Sequence, residues 1–163
     1  MPISVGDHKK MFEMQLQKLV DNKVDALVTR LHYLGLKCVR EARTARIYTD
    51  QTGNLRSSTG YAVVKYGKVM FQSGFKAESV SVKTGDGKEK RSTGTEGARE
   101  GKEFLEELCS KAPKDSIVLI LVAGMNYAQY VEDLGFNVLD SATRLAKTSV
   151  DDIMKGLGFK RAV

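Results

Sequence analysis

A chain of 163 residues, 42% of them apolar and with a formal charge of +6, holds enough material for one buried core and too little for two. The longest apolar stretch, residues 117–123, is far too short to span a bilayer, and 7% aromatic content without Trp offers few stacking platforms for single-stranded nucleic acid. Cys38 and Cys109 lack the close spacing of a zinc pair or redox motif and read as buried free thiols in a reducing compartment.

The first dozen residues show neither a long apolar run nor a small-residue cleavage site, so synthesis and retention in the cytosol are expected unless the chain is carried out inside something larger. Phe12, Leu16, Val20, Val24, Leu27, Leu31, Leu34, Cys38 and Ala42 then follow at steps of three or four, which places them on one helix face. The spacing predicts a long amphipathic helix over 9–46, with Asp7 as its cap and Gly35 as the point where it bends. Such a helix reaches roughly 54 Å, more than a small domain's diameter, so it breaks or overhangs its own core. An overhanging apolar face needs a partner.

Residues 59–65 and 68–73 are β-rich and joined at Tyr66 and Gly67, which suits a tight hairpin. From 84 to 101 Gly, Ser, Thr and charges dominate, giving either a mobile loop or the tip of a longer hairpin that starts near Ala77. A helix is expected over 98–111, closed by Pro113. The run SIVLILVAG at 116–124 reads as a central strand buried on both faces. A short helix over 126–134 ends at Gly135, and a final helix spans 141–157 with Asp140 or Ser141 as its cap. The expected class is α+β: one domain over 1–163, its antiparallel sheet lying within 59–124 and its C-terminal helices within 126–157.

Charge placement matters more than its sum. Residues 37–92 carry twelve cations against five acids, so the middle third holds the whole excess. Catalytic groups, by contrast, do not converge. His8 and His32 lie 24 positions apart on one helix, and the acidic pairs Glu106/Glu107 and Asp151/Asp152 are helix neighbours that diverge by about 100°. The Gly-rich 85–87 turn lacks a leading strand and a Gly-Lys-Ser/Thr ending, so it is no phosphate cradle. No enzyme activity, cofactor or metal is expected.

The segment 50–60, DQTGNLRSSTG, concentrates three local tasks. Gly53 permits a positive φ, Leu55 can anchor in the core, and Arg56 can project as a five-donor fork. The order of features also carries a resemblance. After a long first helix, Thr52, Gly53, Leu55, Arg56 and Ser58 match a T-G-x-L-R-x-S turn; later, Gly124, Tyr127, Ala128, Tyr130, Val131 and Glu132 match a Gly-x-x-Tyr-Ala-x-Tyr-Val-Glu segment. In this the chain resembles the head-tail joining, or tail-completion, family of minor virion proteins from tailed double-stranded DNA bacteriophages. Two departures stand out: Thr49, Asp50 and Gln51 precede the Thr-Gly where a Pro and a small residue are common, and Asp133 and Leu134 intervene before Gly135.

The resemblance implies a non-enzymatic virion subunit, assembled in the host bacterial cytoplasm. It would form a homo-oligomeric ring in the neck or upper tail, bridge the portal or connector to tail proteins, and contact DNA in the channel non-specifically. On this basis Arg46, Asp50, Thr52, Gly53, Leu55, Arg56, Lys65, Tyr127, Tyr130 and Glu132 are the expected subunit-interface residues. Arg56, Arg46 and Lys65 are expected to reach a neighbour, with Leu55, Tyr127 and Tyr130 holding the turn against the sheet. Arg56→Glu is accordingly expected to block assembly and spare the monomer. The alternative is a free cytosolic nucleic-acid-binding domain that uses the basic middle third.

Overall fold

The computed structural model describes residues 5–44 and 51–160. The apolar spacing of the first forty residues does produce one helix, α1 (Val5–Thr44), and it continues unbroken through Gly35. No break occurs at Gly35, where the missing side chain serves packing: a Cβ there would sit 2.2 Å from the Tyr61 ring. Asp7 lies within the first turn of α1, where its charge suits the helix dipole.

Beyond residue 50 come α2 (Asn54–Ser57), β1 (Thr59–Lys65), β2 (Lys68–Gln72), β3 (Val80–Lys83), β4 (Glu89–Ser92), α3 (Thr95–Ser110), β5 (Ile117–Ala123), α4 (Ala128–Asp133) and α5 (Asp140–Gly156). The class is α+β. Strands order as β2-β1-β5, with both neighbours antiparallel to β1. Tyr66 and Gly67 take φ of 53° and 77°, the twist of a two-residue hairpin turn, as their sequence suggests.

Alternation along β1 splits the interior into two layers. Tyr61 and Val63 face α1 and α5, packing with Leu27, Leu31, Leu34, Cys38 and Ala142. Ala62 and Val64 face α3, packing with Leu105, Cys109 and Val122. A third cluster joins Leu55 to Ala128 and Val138. Cys38 and Cys109 are both buried free thiols; burial, aided by Glu41, pushes the Cys38 thiol up to about 11.

Two expectations change here. The central strand is β1, not the 117–123 run: β5 is an edge strand, and only its Val122 is fully buried. The polar 84–101 segment takes the hairpin form of its two expected readings, its turn joining β3 to β4, so a strand does lead into the 85–87 turn, contrary to expectation, and α3 follows from Thr95 rather than 98. Thr84 N–H donates to Lys88 O and Gly87 N–H to Thr84 O, closing a β3–β4 ribbon that stands apart from the main sheet.

α1 is two helices in environment, though one in backbone. From Leu27 onward its apolar stripe packs on α5, β1 and β5, whereas residues 6–23 are exposed throughout. That rod is roughly 27 Å long. It carries Met11, Phe12, Met14, Leu16, Leu19 and Val20, which are between 48% and 70% exposed.

Candidate functional site: the clamp turn and the exposed rod

The T-G-N-L-R-S turn is a clamp that grips three other segments. Gly53, at φ 74°, starts α2, and Thr52 Oγ1 accepts from the Asn54 N–H at 3.3 Å. Leu55 is 2% exposed and plugs the third apolar cluster, as its sequence suggests. Ser57, Ser58 and Thr59 are buried polar residues whose hydroxyls all find work. Ser58 Oγ and Thr59 Oγ1 donate to Leu55 O, and Ser57 Oγ accepts from the Glu78 N–H at 2.9 Å.

Asn54 ties the clamp to α3. Its amide nitrogen donates to Glu96 Oε2 at 3.1 Å, and its amide oxygen accepts from the Gly97 N–H at 3.2 Å. The helix seats this closely only because its inner face is glycine: a Cβ at Gly97 would lie 1.9 Å from Asn54 O, and one at Gly101 would lie 2.5 Å from Ser58 O.

Arg56 does not project outward as expected. Its Nε lies 2.7 Å from Glu78 Oε2, with Arg43 Nη1 4.0 Å from the other carboxylate oxygen. Arg43 also donates through Nη2 to Thr59 O at 2.9 Å. Burial holds the Arg43 guanidinium below its ordinary pKa, with Arg56 pushing the same way and Glu78 opposing both. Two arginines and one glutamate therefore fasten the base of the β3–β4 ribbon to the end of α1. Arg56→Glu consequently threatens the fold itself. We expect it to cost about 1–3 kcal/mol by setting two carboxylates face to face, and the added change Glu78→Arg to restore at least half of that. Urea unfolding of the two single variants and the double variant checks this.

The remaining expected residues separate. Thr52 is exposed and Gly53 buried in the clamp. Lys65, at the far end of β1, pairs with Asp25 of α1 at 2.8 Å, and that hydrogen bond raises its pKa. Tyr127 and Tyr130 are 39% and 65% exposed, so they do not hold the turn against the sheet; Ala128 and Val131 of α4 do the inward packing. Arg46 and Asp50 lie outside the described residues.

Glu132 turns inward to cap a helix. Its carboxylate accepts backbone N–H bonds from Val138 at 2.7 Å, Leu139 at 3.0 Å and Asp140 at 2.9 Å, the open donors at the start of α5. Asp140 and Ser141, the expected caps, make no side-chain cap there. The Ser141 N–H is instead satisfied by Asn137 Oδ1 at 3.0 Å. Glu132→Ala strands these donors and removes the negative charge at the positive end of the helix. We expect a loss of about 2 kcal/mol, read as a lowered thermal midpoint, and smaller for Glu132→Gln because the amide oxygen still accepts.

What sequence reasoning missed is Glu78. Nothing local marks it, because its role depends on the chain returning past Arg56 twenty-two residues later. Among the described residues no group of three or more His, Cys, Asp or Glu side chains is placed to hold a metal ion, and no helix is long and apolar enough to cross a membrane. His8 sits on the exposed rod, while His32 packs in the body, its Nδ1 2.7 Å from the Tyr61 hydroxyl and its ring stacked on Phe71. One helix holds the two roughly 36 Å apart. Comparison with protein-family models, with curated proteins and with solved structures gives no match for this chain.

Proposed function

We propose that this chain is a structural subunit of a tailed double-stranded DNA bacteriophage. It works by assembling with copies of itself into a ring at the neck or upper tail, where the ring joins the portal or connector to the tail. The observation that carries this is the rod: residues 6–23 extend the core stripe of α1 beyond the body and leave six large apolar side chains in water. Exposed apolar surface of that extent on one element marks a surface that a partner covers. The order of the clamp turn and the Tyr-Ala-x-Tyr-Val-Glu segment resembles that of head-tail joining proteins, and this resemblance suggests the class of partner.

The clamp serves this function indirectly. It fixes the basic β3–β4 ribbon and the α3 start relative to the sheet, so that contact surfaces reach a neighbour in one geometry. Exposed Tyr130 and the ribbon cations Lys83, Lys88, Lys90 and Arg91 are then available to neighbours or to DNA in passage. That cationic ribbon also favours the second reading, a free nucleic-acid-binding domain, which predicts monomers whose duplex-DNA affinity falls steeply with salt.

Light scattering on the purified chain, paired with a salt titration against duplex DNA, tests the two. A discrete oligomer that co-purifies with phage particles is the expected result. A monomer at every concentration with strong salt-sensitive DNA binding overturns the assembly function.

A further inference from the structure

β5 has the sequence of one kind of strand and the position of another. IVLILVA has no charge, no proline and no alternation, the composition of a strand covered on both sides. In the single chain it is nevertheless the last strand of the sheet, and six of its seven residues are only half-buried. Edge strands usually bear lysines, prolines or a covering loop, and this one has none of the first two. An open groove of about 980 Å³ runs beside it, lined by Val24 and Leu27 of α1, Leu119 of β5, and Val150 and Met154 of α5.

The backbone of β5 shows which groups wait for a partner. Tyr66 N–H donates to Ser116 O and Gly124 N–H to Ser58 O, so the even-numbered residues between them face β1 and the odd-numbered ones face away. No backbone hydrogen bond from another described element reaches Ile117, Leu119 or Leu121 on that outer side. At the opposite end of the sheet β2 is exposed along its whole length, with Val69, Met70 and Phe71 between 36% and 46% exposed.

Building on the assembly function above, we infer that the outer edge of β5 binds the β2 edge of a second copy of this chain, as a parallel strand pair that extends the sheet from subunit to subunit. The direction follows from topology: β2 and β5 are both antiparallel to β1 and hence run the same way. A two-fold pairing of β5 with itself would cover one edge and leave β2 bare. The head-to-tail arrangement covers both on every copy, and a rotation that closes leaves no edge at all. In that assembly β5 occupies the interior position that its composition calls for. The faces agree as well: Val69 opposes Val64, on the α3 side of the sheet where Ile120 also packs.

The test is disulfide trapping in the full chain. Cys38 and Cys109 are buried and can stay. Chains carrying Val69→Cys are mixed with chains carrying Val118→Cys or Ile120→Cys, oxidised, and sized without reductant. Cross-linked dimers are expected from at least one mixture and from neither variant alone, and a chain with both cysteines should give a ladder in steps of 18.0 kDa. Dimers from the β5 variant alone would show two-fold β5 pairing and overturn the inference. Amide exchange provides a check free of substitutions: assembly should slow Leu119 and Leu121 at least tenfold, while Ile120 and Val122 stay protected throughout. An oligomer by light scattering with neither signal overturns the strand pairing alone. A monomer at every concentration overturns the pairing and the ring together.

Discussion

The double variant Phe12→Glu/Leu16→Glu should leave a folded chain that no longer assembles. Phe12 and Leu16 are 64% and 52% exposed and belong to none of the three apolar clusters, so their replacement should remove little packing among the described residues. Surface changes of this kind usually move stability by about 0.5 kcal/mol or less, and the thermal midpoint of the dissociated chain should stay within ~2 °C. Association is another matter. If the rod is covered in the assembly, each glutamate must either be buried without a partner or hold the partner away. Losing two buried apolar anchors commonly costs about 4 kcal/mol together, so the association constant should fall at least ~100-fold. Light scattering across a concentration series reads the loss, and Gln17→Ala on the same exposed segment serves as the neutral control. An unchanged oligomer in the double variant would mean that the rod is not an assembly surface. Hydrogen exchange adds a second measure: amides of residues 6–23 should exchange rapidly in the dissociated chain, because an unpacked helix of this length is marginal, and slowly in the ring.

The second large effect is expected inside the clamp. In Gly97→Ala one methyl group must occupy a point 1.9 Å from Asn54 O and 2.5 Å from Asn54 Cα, and neither is the far end of a flexible side chain. Relief requires α3 to move off α2, which breaks both Asn54 hydrogen bonds to the helix start. The cost should reach about 3 kcal/mol, a fall of roughly 10 °C in the thermal midpoint for a chain of this size. Gly85→Ala, where nothing lies within 4 Å, should be nearly neutral. Equal melting of the two variants would show that the close approach of helix and turn does not support the fold.

These two sites differ in how far they are legible in the sequence. The rod is written locally: a stripe at steps of three or four, longer than any core of 163 residues can cover, announces both the helix and its overhang. The Tyr66-Gly67 hairpin and the stop at Gly135 are equally local, since each depends on a backbone conformation that few residues adopt. Gly97 is not legible. A glycine among TEGAREG looks like loop composition, and only the approach of Asn54 explains why it sits in the first turn of a helix. Gly35 is opaque in the same manner, since nothing near it in sequence announces that the position must leave space for the Tyr61 ring.

By itself, then, the sequence determined the elements whose signals repeat within a few residues: the long first helix, the β1–β2 hairpin, the later helices and the α+β class. The tertiary structure alone decided that β1 is central and β5 an edge, that Arg56 faces Glu78, and that Glu132 caps α5. The reason is physical. Periodicity records which face of an element is apolar, while strand order, ion-pair partners and remote caps depend on where distant segments arrive, and the residues themselves carry no mark of that destination.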